Sequence, residues 1–382
     1  RQGFLWIGTE DGLNRFDGYT FKVFRNDPED PHSLSNNTIL ALYEDHLGII
    51  WVGTFGGGLN RYDPETERFT RYRHDPDDPH SLSDGLVYFV AEDRSGNLWI
   101  GTWGGGLNRF DRDTETFTHY RHNADDPYSL SSDSIWHLYE GQDGMLWPAT
   151  EGGISFLDGE AKPFYHYRSL PGNPNSLSDN NVTVIYEDSS EVLWIGTFGG
   201  GLNKLDRNTE QFTRFQHDPN DPHSLSNDNI TSIYEDPSGV LWIGTFGGGL
   251  NRFEQDTQTF THFQHDPDNP YSLSYNWVNS IYEDQSGTLW ISTGNGLNKF
   301  DRTNESFTRY TQKDGLPYNS VYGMLEDPQG KLWLSTPNGL SQFNPRTEIF
   351  RNYDKDDGLQ VIRFSQGAYH KIRSGEMFFG GV

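Results

Sequence analysis

Short apolar runs alternate with polar turns along the whole chain, and one stretch shows the pattern clearly. The runs at residues 230–234, 241–245, 250–253 and 259–263 are rich in β-branched and aromatic residues. Such runs, about five residues long, are typical of β-strands. The segments between them carry Gly, Pro, Asp and Ser, which favour tight turns. Because short loops join neighbouring strands in antiparallel fashion, the stretch predicts a four-stranded antiparallel sheet.

The same four-strand pattern recurs through the chain, and a tryptophan marks the second strand of each copy. The separations between successive tryptophans are 45, 48, 48, 47, 48, 48 and 43 residues. A ninth copy at residues 375–381 has Phe378 in the tryptophan position. A period in this range is typical of a solenoid, an array or a propeller. The eight marker residues are Trp6, Trp51, Trp99, Trp147, Trp194, Trp242, Trp290 and Trp333.

Four short strands in a period of about 47 residues have the size of one propeller blade. A helical repeat of the HEAT type is the alternative for such a period, and it would need helices of about ten residues or more. No segment between Gly or Pro residues shows the apolar spacing of such a helix. The sequence therefore predicts an all-β fold, a single β-propeller domain of four-stranded antiparallel blades over residues 1–382.

The two ends of the chain decide how many blades there are. Residues 1–25 hold the second, third and fourth strands of a first blade, and seven complete copies follow. The C-terminal strands at residues 362–382 supply an opening strand and one more second strand. Docking that opening strand on the N-terminal partial blade gives eight blades with one surplus strand. We favour eight over seven blades with terminal remnants, because fewer apolar strand edges stay unpaired.

The amino-acid composition restricts the kinds of molecule that the chain can bind. The formal net charge is −26, which argues against nucleic acid, because phosphate binding needs clustered Lys and Arg. The chain has no cysteine, so disulfides and thiolate chemistry are excluded. The chain has no run of 18 apolar residues, so the sequence predicts no membrane-spanning helix. Because the sequence begins inside a strand motif, we expect a piece of a longer protein.

A second phrase, His-Asp-Pro-Asn-Asp-Pro-His-Ser-Leu-Ser at residues 217–226, lies between copies and recurs from His74, His122 and His265. His and Asp together suggest a metal site, but a phrase shared by most copies indicates the same mechanical task in each. Asp-Pro pairs set rigid turns, and Leu225 can fill the blade edge. We therefore predict no metal site and no cofactor.

Two further motifs resemble known ones. The turn Glu-Asp-x-x-Gly-x-Leu-Trp resembles the Asp-box of sialidase-type propellers, which is a structural turn. The phrase Leu-Trp-Ile-Gly-Thr-x-Gly-Gly-Leu-Asn-Arg-Phe-Asp, with Ile-Tyr-Glu-Asp-x-x-Gly before it, resembles the two-component regulator propeller repeat over essentially the whole chain. Residues 2–19 look like the usual first unit of that family, and residues 364–381 look like its last.

The resemblance implies the periplasmic or extracellular sensor region of a membrane-anchored signalling protein, often one that senses an oligosaccharide. It also implies immunoglobulin-like, transmembrane and kinase domains beyond the C-terminus, with a homodimer as a further option. Family members usually carry blades in sevens, often as two tandem propellers, and the copy number here departs from that.

Residues that are the same in all copies are expected to build the repeated blade structure, here called the frame. Residues that differ between copies are therefore the candidates for ligand binding. Three of the eleven tryptophans, Trp103, Trp136 and Trp277, lie outside the frame. Strand alternation places them on one face, and aromatic rings beside amides suit a sugar. The candidate binding residues are Phe55, Tyr88, Trp103, Trp136, His137, Phe198, Phe246, Tyr275, Asn276, Trp277 and Tyr322, with Asp133, Asn295 and Asn338 as polar neighbours.

Two other functions stay open on the sequence. A polysaccharide or antibiotic lyase would need an acid and a base, and His137 with Asp133 or Glu151 is the suggestive group. We predict no enzyme, because no nucleophile with its base stands out. A protein-interaction scaffold is the other alternative, since propeller faces serve this purpose widely.

Overall fold

A computed structural model describes residues 4–157, 164–359, 364–371 and 376–381. For Trp136, residues 365–368 and Gly381 the description covers the backbone alone. The predicted terminal segments 1–25 and 362–382 therefore fall partly outside the described residues. The described part contains two 3₁₀ turns, Gln312–Asp314 and Lys355–Asp357, and no α-helix. It contains no helix with the length and apolar character needed to cross a membrane.

Strands make up the rest of the regular structure. In the first half of the chain they are β1 (Leu5–Thr9), β2 (Gly12–Phe16), β3 (Phe21–Phe24), β4 (Ile39–Glu44), β5 (Ile50–Thr54), β6 (Gly58–Asp63), β7 (Arg68–Tyr72), β8 (Val87–Glu92), β9 (Leu98–Thr102), β10 (Leu107–Asp111), β11 (Thr116–Tyr120), β12 (Ile135–Glu140), β13 (Leu146–Thr150), β14 (Gly153–Leu157), β15 (Phe164–Tyr167), β16 (Val182–Glu187), β17 (Leu193–Thr197), β18 (Leu202–Asp206) and β19 (Gln211–Phe215). In the second half they are β20 (Ile230–Glu235), β21 (Leu241–Thr245), β22 (Leu250–Glu254), β23 (Thr259–Phe263), β24 (Val278–Glu283), β25 (Leu289–Thr293), β26 (Gly296–Asp301), β27 (Ser306–Tyr310), β28 (Gly323–Glu326), β29 (Leu332–Thr336), β30 (Gly339–Asn344), β31 (Ile349–Tyr353), β32 (Phe364–Lys371) and β33 (Met377–Gly381).

The described strands form eight sheets. Seven are four-stranded and follow the chain, from β4–β7 to β28–β31, with each strand antiparallel to the next. The eighth has the order β3-β2-β1-β33-β32 and joins the two ends of the chain. The all-β fold with the eight blades of a β-propeller, favoured from the sequence, is confirmed.

The chain divides into two compact units. Unit 1 comprises Arg1–His166, Asp354–Phe364 and Ala368–Val382, and unit 2 comprises Tyr167–Tyr353 and Ser365–Gly367. Strands β1, β2, β3 and β33 of the joining sheet belong to unit 1, as do the sheets β4–β7 and β8–β11. The sheets from β16–β19 to β28–β31 belong to unit 2. Each unit is described separately below.

The second-strand tryptophans fill the spaces between neighbouring sheets within each unit. In unit 2, the Trp194 ring lies 5.3 Å from the Phe253 ring of the next sheet at 69° between ring planes, an edge-to-face contact. In unit 1, Trp51 meets Phe110 of the next sheet in the same way at 5.3 Å. Side chains of this size bury most of their area in such contacts, so they supply most of the adhesion between sheets.

Glycine in the second strand lets the next sheet approach. A Cβ added to Gly196 would lie 2.6 Å from Cγ2 of Ile230, which opens the following sheet. That distance is shorter than any real carbon contact, so only glycine fits there.

An indole N–H that enters the core needs an acceptor, and in most sheets an aspartate six residues before the tryptophan, in the turn that leads into the second strand, supplies it. Asp284 Oδ2 accepts from Trp290 Nε1 at 2.8 Å, while its Oδ1 accepts the backbone N–H groups of Ser286 and Thr288 at 2.9 Å. The same aspartate–tryptophan bond occurs in six sheets, in the pairs Asp45–Trp51, Asp93–Trp99, Asp188–Trp194, Asp236–Trp242, Asp284–Trp290 and Asp327–Trp333.

The Asp-Pro phrase protects the edge of the following sheet through a backbone hydrogen bond that the sequence did not reveal. The carbonyl of His223 accepts the N–H of Phe260 in the fourth strand β23 at 2.8 Å, and Leu225 is fully buried. The phrase residues His217, Asp218 and Asp221 hold the loop itself, for example through His217 Nδ1 and the Leu225 carbonyl at 2.9 Å. An edge strand with open backbone groups would otherwise invite pairing with other chains.

The turns between third and fourth strands hold an acidic or amide residue in a left-handed conformation. Their φ angles lie between 49° and 57°, a region that costs a non-glycine residue about 1–2 kcal/mol. Several of these side chains reach back to the preceding sheet: Glu115 accepts from Arg61 at 2.8 Å, and Glu305 from Arg252 at 2.6 Å. The residues are Glu67, Glu115, Glu210, Gln258, Glu305 and Glu348.

The joining sheet departs from the expected docking. The C-terminal opening strand β32 does not pair with β1, because the surplus second strand β33 lies between them, antiparallel to β32 and parallel to β1. Phe378 of β33 is opposite Trp6 and packs in the same buried cluster as Phe24 and Tyr62. Inserting β33 therefore buries an aromatic side chain that the simpler docking would have left at an edge.

A pair of carboxyl groups lies next to the joining sheet. Glu376, directly before β33, and Glu44, at the end of β4, are both buried. Burial raises the pKa of Glu44 to about 7, and the hydrogen bond and negative charge of Glu376 add to the effect. The pair therefore holds a proton at pH values where an exposed glutamate has lost it.

Replacing Asp284 by Ala removes the acceptor of the buried Trp290 N–H and of two backbone N–H groups in the turn, those of Ser286 and Thr288. We expect the free energy of unfolding to fall by about 3 kcal/mol, because buried donors that lose their acceptor cost about 1–3 kcal/mol each. Urea denaturation followed by tryptophan fluorescence measures the change. Asp268→Ala, in an exposed loop, is the matched control and should change stability by less than about 0.5 kcal/mol. A loss below about 1 kcal/mol for Asp284→Ala would contradict the assignment.

The carboxyl pair predicts a pH dependence of stability. Because the pKa of Glu44 is raised on folding, its contribution is fully present below its unfolded value of about 4.5 and is lost as pH rises through about 7. Glu376→Gln removes the second charge, so its melting temperature should exceed that of the wild type at pH 8 and match it near pH 5. Scanning calorimetry at both pH values measures this, with exposed Glu29→Gln as control. An equal difference at both pH values would refute the coupling.

Candidate ligand-binding site

In four blades the turn after the second strand presents an aromatic side chain to solvent. Phe55, Trp103, Phe198 and Phe246 occupy this position, and their exposed fractions lie between 36% and 53%. Each forms an isolated antiparallel bridge with a residue at the start of the next blade: Phe55 with Leu86, Trp103 with Ser134, Phe198 with Asn229, and Phe246 with Trp277. The turn after the second strand and the start of the next first strand therefore lie side by side within each unit.

Unit 2 carries a continuous row of these rings. The ring centroids of Phe198 and Phe246 are 6.2 Å apart, and those of Phe246 and Trp277 are 4.4 Å apart at 61° between planes. A Cβ added to Gly294 would lie 3.1 Å from Cδ1 of Tyr275 and 3.5 Å from Cε3 of Trp277, so both rings lie against that turn. Four of the predicted residues, Phe198, Phe246, Tyr275 and Trp277, thus form one group, called the unit 2 aromatic row.

The row exists because the blade of β24–β27 has a different turn after its second strand. Gly294 stands where Phe246 stands in the preceding blade, so no side chain fills the space above it. Tyr275 and Trp277 occupy that space, and Tyr275 remains 45% exposed. The sequence interpretation singled out the two rings but missed Gly294, whose absent side chain makes room for them.

Unit 1 carries a smaller group. Tyr88 and Trp103 have ring centroids 5.2 Å apart and planes tilted by 38°, and this group is called the unit 1 aromatic pair. Tyr88 sits at a register shift between Val87 and Phe89, and the backbone of Trp136 sits at the equivalent shift in β12. Bulges of this kind re-aim a side chain. The side chain of Trp136 lies outside the described part of the structure.

The polar neighbours predicted from the sequence mainly hold the loops. Asn276 Oδ1 accepts the N–H of His265 at 2.6 Å, and its carbonyl accepts the N–H groups of Gly247 and Gly249 at 2.9 Å. Asp133 Oδ1 accepts the N–H of His122 at 2.6 Å in the same position of another blade. The oxygen of Asn276 is thus engaged, and its amide nitrogen is the group that it can offer a ligand.

Two further predicted neighbours are tied to the loop before β28. Asn295 Oδ1 accepts from Asn319 Nδ2 at 3.0 Å, and Asn338 Nδ2 donates to the carbonyl of Pro317 at 3.4 Å. Tyr322 is half-buried, and its backbone N–H donates to the Ser335 carbonyl at 2.8 Å. None of these three has a ring contact or hydrogen bond to the unit 2 aromatic row among the described residues.

His137 lies in unit 1 on β12, apart from the unit 1 aromatic pair. Its ring centroid is 5.9 Å from that of Phe89. Part of the His137 side chain is exposed to solvent. The protein atoms packed around the ring displace water that would stabilise its charged form, which lowers its pKa, and the charge of the nearby His370 lowers that pKa further. Among the described residues no hydrogen bond joins His137 to Asp133 or Glu151. The sequence interpretation did not find His370, which comes from the far end of the chain.

Comparison with known proteins gives one family match. The model of the two component regulator propeller matches residues 33–56, 81–104, 176–199, 224–247, 272–295 and 315–338. A curated relative, histidine kinase P4 of Formosa agariphila, is 67% identical over 33 residues, which are 9% of this chain and 2% of that protein.

The chain is also similar to solved structures. An extracellular domain designated as part of a hybrid two-component system of B. thetaiotaomicron is 23% identical with a TM-score of 0.46; the likeness covers 100% of this chain and 57% of that one. PorZ of Porphyromonas gingivalis is 14% identical with a TM-score of 0.52, over 89% of this chain and 55% of that one. The Dos1 propeller is 13% identical with a TM-score of 0.56, over 85% of this chain and 82% of that one.

At these identities the likenesses to PorZ and to the Dos1 propeller support the propeller fold and nothing further. The family model identifies the repeat itself, and its six segments each span the second-strand tryptophan motif or its equivalent together with the preceding first strand. The resemblance inferred from the sequence is thereby confirmed. The chain contains two component regulator propeller repeats, matched in six segments between residues 33 and 338.

Proposed function

We propose that this chain is the extracytoplasmic sensing region of a two-component-type signalling protein and that it binds an oligosaccharide through its exposed aromatic side chains. The repeat family supports the signalling role. The unit 2 aromatic row is the single observation that carries the ligand class. It brings Tyr275 and Trp277 next to the exposed rings of Phe198 and Phe246, above a turn whose glycine leaves room for them.

The unit 2 aromatic row suits a sugar for physical reasons. The C–H faces of a pyranose are apolar and stack on aromatic planes, while its hydroxyl groups remain free for hydrogen bonds. Phe198, Phe246 and Tyr275 are each at least 40% exposed, and large exposed aromatic groups on a folded surface mark binding sites. The amide nitrogen of Asn276, beside Trp277 in sequence, is a donor for a sugar hydroxyl.

The unit 1 aromatic pair offers a second contact of the same kind. Trp103 is 36% exposed and leans against Tyr88, which fixes the orientation of the indole. Phe55 holds the equivalent turn position in the preceding blade and is 53% exposed. We assign these three residues and Trp136 to ligand contact in unit 1.

The parent protein supplies the rest of the signalling path in this proposal. The chain spans 57% of the length of the hybrid two-component extracellular domain described above, so further domains are expected. We propose C-terminal immunoglobulin-like, transmembrane and kinase domains, a periplasmic or extracellular location, and a homodimer as the signalling form.

A lyase reaction finds less support in the geometry. The acid–base group suggested by the sequence would need His137 within hydrogen-bond reach of a carboxylate. Asp133 is instead engaged with the backbone of His122, and the neighbour that lowers the pKa of His137 is another histidine. We therefore propose a binding module without catalytic activity.

The binding proposal is tested by calorimetric titration with a panel of oligosaccharides. Trp277→Ala should weaken binding of the recognised sugar about tenfold, because an aromatic stacking contact contributes about 1 kcal/mol beyond its buried area. Trp103→Ala should weaken it by a comparable factor if unit 1 contacts the ligand. Tyr19→Ala is the matched control, since Tyr19 is 90% exposed and far from both groups in sequence. Unchanged affinity in both tryptophan variants would remove these surfaces from consideration.

The environment of His137 predicts a pKa below the usual value of about 6.5. Because folding lowers the pKa of His137, protonation of this ring opposes folding at pH values below about 6.5. Stability therefore rises as the pH increases toward about 6.5, where this cost disappears. His370→Ala should raise the pKa of His137 by removing a like charge. Proton NMR titration of the ring, assigned with His137→Gln, measures both values. A pKa at or above 6.5 in the wild type would overturn the description.

A further inference from the structure

We propose that unit 2 holds a separate saccharide-binding groove beside the fourth strands β23 and β27. The groove has a cavity volume of about 530 Å³, within the range of about 300–1,000 Å³ that small-molecule sites occupy. It shares no residue with the unit 2 aromatic row and does not rest on the function proposed above. Asn269, Tyr271, Asn304 and Glu305 line it.

Three elements wall the groove. One wall is the strand end at His262–Gln264, the second is the loop that contains Tyr271, and the third is the hairpin turn at residues 304–306. The carbonyl of Tyr271 accepts the N–H of Phe307 at 2.8 Å, which ties the loop to β27. Arg309 donates to the carbonyls of Asn269 and Ser272 at 2.8 and 2.7 Å. The groove is therefore pre-formed, and a ligand would meet fixed walls.

Tyr271 supplies an apolar plane. Its side chain is 67% exposed. Equivalent loop positions carry His32, His80 and His223, so the aromatic ring is a departure from the commoner residue. The Tyr271 hydroxyl makes no hydrogen bond within the described residues and is available as donor and acceptor.

Polar atoms around Tyr271 remain uncommitted. Asn269 Oδ1 accepts the N–H of Tyr271 at 3.0 Å, and no bond of its Nδ2 is found within the described part of the chain. Asn304 Nδ2 donates to Asp301 at 2.7 Å, which leaves its Oδ1 as an acceptor. Glu305 Oε1 accepts from Arg252, which leaves its Oε2 as a second acceptor. The groove thus offers one amide donor, two acceptors and a hydroxyl.

The backbone of β23 adds a donor and an acceptor. Phe260 directs its N–H away from β22, toward the His223 carbonyl. Since backbone groups alternate along an antiparallel strand, the N–H and C=O of His262, two residues on, point the same way. Because His223 already pairs with Phe260, the loop interrupts this edge. An added peptide strand needs consecutive open positions, so the edge favours a compact polyol over a peptide.

The charges of the groove exclude an anionic ligand. Arg252 is paired with Glu254 and Glu305, and Arg309 with the loop carbonyls, so the arginines next to the groove are both committed. The open oxygen of Glu305 would repel a carboxylate or sulfate. A neutral pyranose, with hydroxyls that both donate and accept, matches the open atoms around an exposed ring. The geometry assigns the groove to a neutral glycan.

Isothermal titration and saturation-transfer NMR with cellohexaose, xylohexaose, mannohexaose and laminarihexaose test the groove. Tyr271→Ala should lower the affinity of the bound hexasaccharide at this site about tenfold. Tyr128→Ala is the matched control: Tyr128 follows Asp126-Pro127 in the equivalent loop, as Tyr271 follows Asn269-Pro270. It is 52% exposed and lies in unit 1 beside Tyr165. Ser306→Phe, which fills the groove without altering the tyrosine, should abolish the same signal while near-ultraviolet circular dichroism stays unchanged.

Each outcome decides the proposal. Loss in Tyr271→Ala and Ser306→Phe with retention in Trp277→Ala supports the groove and shows that it acts independently of the aromatic row. Retention in Tyr271→Ala with loss in Trp277→Ala overturns the groove and leaves the aromatic row standing. No binding of any of the four hexasaccharides, or binding of an extended peptide in their place, overturns the assignment of the groove to a neutral glycan.

Discussion

The second-strand tryptophan is the residue on which each blade depends, because it must bury a large ring and satisfy a polar N–H at the same time. Its ring fills the gap to the neighbouring sheet, as Trp194 does against Phe253. Its Nε1 finds a carboxylate oxygen on the turn that precedes the strand, as in the Asp188–Trp194 pair. Neither half suffices alone, since a buried donor without an acceptor would offset much of what the ring contributes.

The carboxylate of that turn is itself stabilised from the neighbouring sheet. Burial works against the charge of Asp236, but hydrogen bonds from Arg302, Ser238 and Trp242 lower its pKa to about 2. Arg302 also pairs with Glu283 of its own sheet. The arginine therefore connects two blades through the same carboxylate that holds the core indole. Two blades depart from this scheme: Gly141 stands where the aspartate would be before Trp147, and no described residue accepts a hydrogen bond from Trp6 Nε1.

Local patterns were enough to predict the strands, the period and the preference for eight blades, because each blade is built from contacts close in sequence. Contacts distant in sequence were not predictable. The parallel pairing of β33 with β1 joins residues near the two ends of the chain, and no local signal specifies it. The bond from Phe260 to His223 was missed for the same reason, although the phrase around His223 was recognised as structural.

The candidate site was predicted in part, and the misses have a common cause. A comparison of repeats takes every position that differs between blades as a candidate for ligand binding. Asn276 and Asp133 differ in residue type, yet both accept a hydrogen bond from a loop N–H. The aromatic residues were easier to find, because a large ring placed in solvent has no equivalent structural task. The space above Gly294 exists because glycine has no side chain. A search for functional side chains does not detect such a space.

The left-handed glutamates at the outer hairpins link local strain to adhesion between sheets. Glycine would adopt that backbone conformation without cost, yet Glu115 and Glu305 are retained, and their carboxylates bind Arg61 and Arg252 of the preceding sheets. If a hairpin opens, its strain is released and its link to the neighbour is lost in the same event. Fraying at the periphery should then spread between joined blades as a cooperative unit rather than stay confined to one sheet.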